Sequence, residues 1–158
     1  MFNYTIILVV LATAANGILT GASLDQSIKQ LPARHRIGMI VYSKYSQAAD
    51  LGNGILWYAA IGIGAAVLTI ASAVAAYFNG LNTSITTPLY IAAILAVLHS
   101  LATTQAAPIN FSQREVAQDE ETLARVFKRF EKWQTIRAIL QVLNFAAMLW
   151  AMAAFASM

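Results

Sequence analysis

The chain has 158 residues, of which 59% are hydrophobic and only 11% are charged, with a formal net charge of +3. Soluble domains carry about 25% charged residues, and a single domain of this size leaves too much surface wet to hide so many apolar side chains. A soluble enzyme, a disordered tail and a secreted disulfide scaffold are therefore poor fits. Because the sequence has no cysteine, disulfides, thiolate metal sites and cysteine nucleophiles are excluded.

Four apolar stretches follow one another along the chain, at about 2–21, 51–78, 88–107 and 133–156, and only the last contains a charged residue, Arg137. Each has about 20 residues or more, enough to cross a hydrocarbon core of about 30 Å as a helix. In lipid the backbone must satisfy its own hydrogen bonds, which favours helices. We therefore expect an all-α polytopic membrane protein, a single domain over 1–158 built as an antiparallel bundle of four transmembrane helices.

The positive charges predict the orientation of this bundle in a cell membrane. All ten Lys and Arg residues lie in 22–50, in 108–132, or just inside the fourth stretch at Arg137. The positive-inside rule then places the loops 22–50 and 108–132 in the cytoplasm and both termini outside. This placement indicates contact with membrane lipids rather than with nucleic acid. The alternative for the first stretch, a cleaved signal peptide, is disfavoured because no basic segment precedes it.

Both basic loops are expected to extend the helices into the cytoplasm. From Glu115 to Lys132 apolar residues recur at helical spacing among charges of both signs, which predicts an amphipathic extension of the fourth helix. Acidic residues precede basic ones there, an order that suits the helix dipole and pairs four residues apart. We expect 39–50 to begin the second helix after a break at Leu31-Pro32, and Pro108 to end the third.

Small residues predict close helix contacts. Gly17 and Gly21 are four residues apart, and Gly62 and Gly64 lie among alanines in the second stretch. Such residues let helix backbones approach in lipid. The simplest interpretation is packing within one chain, and the alternative is an interface in a homo-oligomer.

Large polar side chains within the stretches gather in their predicted cytoplasmic halves, and within each stretch they share one helix face. They are Asn16, Asn53, Trp57, His99, Thr103, Trp133, Arg137, Gln141 and Asn144, with Asn110 just beyond the third stretch. Four polar stripes at one depth cannot all face lipid, because charged and polar groups inside a membrane face the bundle or water. We therefore predict a polar cavity that opens toward the cytoplasm and takes a flat, partly apolar aromatic or quinone-like ligand.

Each residue also has a structural interpretation. Asn and Gln can simply join neighbouring helices, and Trp57 and Trp133 can belong to an interfacial belt. Arg137 lies about 6 Å along the helix from Trp133, so it can reach the headgroups. His99 lies about 17 Å from Pro88, so it reaches neither surface easily, although it can be a neutral core histidine.

Most metal and cofactor chemistries are disfavoured. With only two histidines and one carboxylate near the cavity, Asp50, neither a zinc site nor a di-iron site is expected. Haem held by two histidines would need His35 of the basic loop to reach His99, and there is no phosphate-binding glycine loop. A histidine base, an arginine cation, amides and indole faces suit proton abstraction from a ligand with an ionisable oxygen, without a cofactor or metal.

The chain resembles the DUF1772 family, which is named for its anthrone oxygenase members. The resemblance covers most of the chain and is carried by the four-helix organisation, the Pro108-Ile109-Asn110 step, and Trp133 with Arg137 opening the fourth stretch. It implies a small membrane protein that oxidises anthrones to anthraquinones with dioxygen and without metal or flavin. Asn110, Trp133 and Arg137 are the positions that carry over, whereas His99 matches no family motif.

One catalytic hypothesis and two rivals follow. In the first, His99 is the base, Arg137 and Asn110 hold the oxyanion, and Trp57 or Trp133 stacks on the rings, while Asn16, Asn53, Thr103, Gln141 and Asn144 complete the substrate site. In the second, the protein holds a quinone, lipid or small apolar ligand without reacting. In the third, the polar stripes only hold the four helices of a structural subunit together.

Overall fold

The structure, a computed structural model, describes residues 4–116 and 118–157. They form four long helices, α1 (Tyr4–Ile37), α2 (Met39–Phe78), α3 (Thr83–Arg114) and α4 (Glu120–Ala156), each long and apolar enough to cross a membrane. The predicted stretches lie inside these helices, except that residues 2 and 3 of the first fall outside the described part. The prediction of an all-helical chain with four candidate spans is thus confirmed for the described residues.

The helices form a ring in which consecutive helices pack side by side and α4 closes against α1. At one end of the bundle α1 joins α2 and α3 joins α4. We call it the basic end, because all Lys and Arg residues except Arg137 lie there. The opposite end, which carries the short connection 79–82 between α2 and α3, is called the turn end.

The break between α1 and α2 is at Gly38, and the predicted break at Leu31-Pro32 is wrong. Gly38 has a φ of 86°, a left-handed conformation that favours glycine. The chain stays helical through Pro32, which follows a π-helical segment, Asp25–Gln30, and stands in the first turn of a new α-helical segment. Proline, which has no backbone N–H, is tolerated there because N–H groups in the first turn of a helix have no partner within that helix. The start of α2 at Met39 agrees with the prediction.

The prediction that Pro108 ends the third helix is also wrong. The α-helix continues through Pro108 to Phe111 and closes with a 3₁₀ turn, Ser112–Arg114. Membrane helices tolerate an internal proline where neighbouring groups compensate for the lost backbone hydrogen bond. Because of this continuation, Asn110 lies on a helix rather than in a loop.

The start of α4 agrees with the predicted helical extension. Asp119 caps it by accepting a hydrogen bond from the backbone N–H of Thr122 (3.1 Å). Hydrogen bonds from the Thr122 hydroxyl and backbone hold the pKa of the Asp119 carboxyl below its ordinary value. Glu121 and Arg125 form an ion pair four residues apart (2.7 Å). From Glu120 onward the extension and the fourth stretch are one helix.

Two apolar clusters fill the bundle, one near each end. The cluster at the turn end joins all four helices through Val9, Ala12, Ala73, Ala76, Ile85, Leu89, Ala92, Ala147, Met148, Ala151 and Phe155. The cluster at the basic end comprises Leu31, Tyr42, Ala106, Leu123, Phe127 and Phe130. Within it the rings of Tyr42 and Phe127 meet edge to face, with their centroids 4.9 Å apart.

Polar contacts fasten both ends of the bundle. At the turn end, the Nδ2 of Asn79 lies 2.7 Å from the hydroxyl of Tyr4 and 3.0 Å from that of Thr5, so the start of α1 is tied to the end of α2. At the basic end, the buried Arg34 donates to a carboxylate oxygen of Glu131 (2.6 Å). This ion pair joins the end of α1 to α4.

Candidate functional site

A pocket of about 390 Å³ lies between the basic-end halves of the four helices. Every helix contributes to its wall: Leu19 and Gln26 from α1; Asp50, Leu51, Ile55, Tyr58, Ala59, Gly62 and Ile63 from α2; His99, Ser100, Thr103, Ala107, Asn110 and Phe111 from α3; and Phe130 and Arg137 from α4. Of the site residues that the sequence predicted, His99, Thr103, Asn110 and Arg137 line this pocket.

The pocket forms where the middle of α2, from Gly52 to Gly64, stands away from its neighbours. No residue from Gly52 to Gly64 is buried, whereas Ala65 and Thr69, further along the same helix, are buried. Residues three or four apart share a helix face, so the face that carries Ala65 and Thr69 continues backwards through Gly62 and Tyr58. Those two residues line the pocket. One face of α2 therefore packs in the core near the turn end and borders open space near the basic end.

A kink at Gly52, where the unburied stretch of α2 begins, accompanies this separation. Gly52, with φ −94° and ψ −113°, interrupts the helix inside a π-helical segment. The carbonyl oxygen of Leu51 beside the kink accepts a hydrogen bond from Arg114 of α3 (2.6 Å). A Cβ at Gly54 would lie 2.6 Å from the carbonyl oxygen of Ala49, so glycine alone fits there.

Two nitrogen-bearing side chains meet at the pocket without partners for all their polar atoms. His99 on α3 is buried, and its Nε2 has no hydrogen-bond partner in the described part of the chain. Arg137 on α4 donates from Nη1 to the Oε1 of Gln134 (2.9 Å), while its buried Nε has no partner there. The two side chains line the same pocket from neighbouring helices. Buried polar groups normally find partners, so these atoms are candidates to contact a ligand.

A carboxyl group faces the same pocket from α2. The Oδ2 of the buried Asp50 accepts a hydrogen bond from the hydroxyl of Ser46 (2.9 Å) and one from the Nε2 of Gln26 (3.5 Å). Ion pairs within the described residues join Lys29 to Asp25, Arg34 to Glu131 and Arg125 to Glu121. Neither Asp50 nor Arg137 takes part in them, so the pocket presents an acid and a guanidinium that no ion pair joins.

A buried amide closes the pocket toward the basic end. Gln113, which is fully buried, donates from Nε2 to the Oδ1 of Asn110 (2.8 Å) and to the hydroxyl of Ser46 (3.2 Å). Its Oε1 accepts a hydrogen bond from the hydroxyl of Ser43 (3.1 Å). Because Gln113 occupies the Oδ1 of Asn110, the Nδ2 of Asn110 is the donor that this side chain can offer to the pocket.

Three of the predicted site residues form a separate polar cluster instead. Asn16 donates to the hydroxyl of Thr69 (2.8 Å), and its Oδ1 accepts hydrogen bonds from Gln141 (2.8 Å) and Asn144 (2.9 Å). The cluster joins α1, α2 and α4 deeper in the bundle and does not line the pocket. The single polar stripe of α4 is thus divided, because that helix meets different neighbours at different depths.

The remaining predicted residues, apart from Thr103, lie outside the pocket. Asn53 and Trp57 are exposed on α2, the latter with 54% of its surface accessible. Trp133 packs beside the basic-end cluster and borders a shallow surface depression between α3 and α4. Thr103 lines the pocket, but its hydroxyl donates to the carbonyl oxygen of His99 one turn back (2.9 Å).

Sequence reasoning did not assign a site role to Gln26, Asp50, Tyr58 or Gln113. Spacing on α2 offered one indication, because Tyr58 follows Asp50 by two helical turns and shares its face. Gln26 and Gln113 lie in basic segments whose helical course was not predicted in detail. No spacing rule connects them to the pocket.

The comparisons and the search for metal-binding groups give no further assignment. Residues 4–116 and 118–157 contain no group of three or more His, Asp or Glu side chains placed to hold a metal ion. A scan against protein-family models gives no match, and no curated protein or solved structure matches the chain. The resemblance to the anthrone oxygenases stays a prediction from the residues that carry it.

Proposed function

We propose that this chain is an integral membrane protein whose pocket binds a flat, partly apolar molecule with an acidic C–H group, and oxidises it with dioxygen. The observation that supports this most directly is the pair of unpartnered buried atoms, His99 Nε2 and Arg137 Nε, at one pocket. In membrane helices such groups mark functional sites more often than structural ones. The positive-inside rule places the basic end in the cytoplasm and both termini outside.

The size and walls of the pocket suit such a ligand. Its volume of about 390 Å³ falls in the range of small-molecule sites. Leu19, Ile55 and Phe130 offer apolar surface for aromatic rings. His99 and Arg137 offer a base and a cation at one part of the wall, while Asp50 offers an acceptor at another.

The proposed reaction needs only groups that the pocket contains. His99 takes a proton from a CH₂ group next to the rings of an anthrone, and the Arg137 guanidinium with the Asn110 amide holds the resulting enolate oxygen. The electron-rich enolate then passes electrons directly to dioxygen. Overall, anthrone and dioxygen give anthraquinone and water: the carbon loses four electrons, one oxygen atom becomes the new carbonyl, and the other leaves as water.

Oxygen uptake by the purified protein in lipid nanodiscs tests the reaction, with anthrone as the substrate and anthraquinone absorbance as the second readout. We expect His99→Ala to lower turnover by about 10²–10⁴-fold, the usual contribution of a general base. His35→Ala is the matched control, because His35 is the other histidine of the chain and is exposed. Full turnover in His99→Ala would remove the proposed base.

The second candidate is a protein that binds its ligand without reacting. The carboxyl and guanidinium groups of the pocket favour this binding function. Asp50 and Arg137 can each hydrogen-bond one polar group of a hydroxyquinone, and no reaction of the ligand is needed. Equilibrium binding of a hydroxyanthraquinone to wild type, combined with the absence of anthrone-dependent oxygen uptake, would select this function. Arg137→Met should then weaken binding by about ten-fold or more, the loss expected for one charge-assisted hydrogen bond.

A further inference from the structure

We infer that the pocket opens sideways into the bilayer, between the middle of α2 and the second half of α3, and that its ligand reaches it dissolved in the membrane. The inference rests on the proposed function for the use of the pocket. The opening itself does not depend on the proposed function, because it follows from the burial of the lining residues and the spacing of exposed aromatic residues on α2.

The wall of the pocket is exposed on one side. On α2 the lining residues Ala59 and Ile63 are exposed, with 66% of Ile63 accessible. On α3 the lining residues Ser100 and Phe111 are exposed as well. Ala59 and Ile63 form one edge and Ser100, at their level on the antiparallel α3, forms the other, and we call the gap between these three residues the mouth. Phe111 lies 11 residues, about 17 Å, nearer the basic end.

The other sides of the pocket are closed. Leu19 of α1 and Phe130 of α4, which line it from behind, are each only 3% exposed. Toward the basic end, Gln113 and Ser46 are buried and hydrogen-bonded to each other. Toward the turn end, the apolar cluster that contains Leu89 fills the bundle. A ligand in the pocket therefore has the mouth as its route of exchange, in place of the cytoplasmic opening that the sequence predicted.

The mouth lies at the level of acyl chains rather than of water. Trp57 and Tyr77 are both exposed on α2. They are 20 positions apart, which corresponds to about 30 Å along the helix, the thickness of the hydrocarbon core. Exposed aromatic residues with this separation are typical of the two membrane interfaces. Ile63 lies six residues further along α2 than Trp57, which places the mouth about 9 Å inside the hydrocarbon.

The chemistry of the edges agrees with this depth. Ala59 and Ile63 are apolar, and the hydroxyl of Ser100 donates to the carbonyl oxygen of Ala96 (2.8 Å), so it presents no free donor. The polar groups His99, Asp50 and Arg137 lie behind them. A molecule that passes this mouth must dissolve in hydrocarbon first, which selects uncharged aromatic compounds over water-soluble anions.

Tryptophan quenching tests the opening without any ligand. The native Trp57, Trp133 and Trp150 are replaced by Phe, Thr103→Trp places one indole in the pocket, and the protein is reconstituted in phosphatidylcholine brominated near the top of its acyl chains. We expect the brominated lipid to remove about half of the fluorescence, and iodide to remove less than about a tenth, because a charged quencher does not enter hydrocarbon. Where Thr103→Trp does not fold, Gly62→Trp replaces it, because Gly62 lines the pocket, is not exposed and has open space beside its Cβ position.

A matched pair of variants ties the quenching to the mouth. Ala59 and Ala60 are adjacent and both exposed, but Ala59 lines the pocket and Ala60 does not. Ala59→Phe should lower the lipid quenching of the indole at 103 by about two-fold by filling the gap, while Ala60→Phe should leave it unchanged. Quenching by iodide would show an aqueous opening, and quenching by neither agent would show a closed pocket. Either result overturns the inference, and neither depends on whether an anthrone is oxidised.

Discussion

The Asn16 cluster, formed by Asn16, Thr69, Gln141 and Asn144, differs from the pocket in whether open space lies beside its polar atoms, and the sequence does not show this difference. Both gather polar side chains from separate helices inside an apolar bundle. In the cluster, each amide nitrogen finds a partner on another side chain. The buried Oε1 of Gln141 and Oδ1 of Asn144 have no partner in the described part of the chain, but neither residue lines the pocket. In the pocket, His99 and Arg137 keep unpartnered atoms beside open space. Polar residues of the first kind hold helices together, whereas those of the second kind are free to meet a ligand.

The largest expected effect is on the cluster. Asn16→Leu removes the side-chain acceptor of Gln141 and Asn144, which leaves the buried Nδ2 of Asn144 unsatisfied and the Nε2 of Gln141 with only the backbone carbonyl oxygen of residue 16 (3.3 Å). We expect the free energy of unfolding to fall by about 2 kcal/mol, since each buried unsatisfied group costs about 1–3 kcal/mol. Unfolding by SDS in mixed micelles, followed by circular dichroism, measures this. An unchanged SDS midpoint would show that the cluster contributes nothing to stability.

Arg137→Met should have the opposite sign. The guanidinium makes no ion pair among the described residues, and replacing a buried charge by an apolar side chain of similar length is often stabilising. We expect a gain of about 1 kcal/mol in the same SDS titration, reduced by the lost hydrogen bond to Gln134. A clear loss of stability would support the structural-subunit hypothesis instead.

A double-mutant cycle sharpens the assignment of the cluster. Asn16→Ala and Gln141→Ala, alone and together, should show a coupling energy of about 0.6 kcal/mol, the average for side-chain hydrogen bonds between membrane helices. The reference cycle pairs Asn16→Ala with His99→Ala, which share no hydrogen bond. Equal coupling in both cycles would contradict the distinction between cluster and pocket.

The smallest effect is expected for His99→Leu. No hydrogen bond of the His99 side chain is lost, and a leucine of comparable size can occupy its place, so the free energy of unfolding should change by less than about 0.5 kcal/mol. The same SDS titration checks it, with Asn16→Leu as the matched substitution. A loss as large as that of Asn16→Leu would make His99 a structural core residue.

Hydropathy was sufficient to predict the four helices, because apolar length is a property of each segment alone. The ends of the helices were harder to predict. Pro32 and Pro108 suggested breaks, yet both stand inside helices, while the chain turns at Gly38. A propensity says which conformation is disfavoured locally, and it does not say whether packing overrides it.

The candidate site was predictable only in part for a related reason. Helical spacing shows which residues share a face, so it grouped Arg137 with Gln141 on one stripe of α4. It does not show which neighbour that face meets. Arg137 borders the pocket while Gln141, one turn on, meets Asn16. Asp50, which the sequence placed near the cavity without a site role, lines the pocket beside the kink at Gly52, and no residue pattern indicated that kink.

The kink at Gly52 also determines how α2 can change shape when a ligand binds in the pocket. The helix is fixed at both extremities, by Asn79 against α1 and by the buried segment that carries Tyr42, Ser43 and Ser46. A helix anchored at both ends cannot move away as a whole, so it can only change its bend. The residue of α2 with non-helical φ and ψ is Gly52, and the bend changes there. Ligand binding in the pocket should therefore change the NMR chemical shift of the Gly52 amide. The amide shifts of the two anchored ends of α2 should stay unchanged.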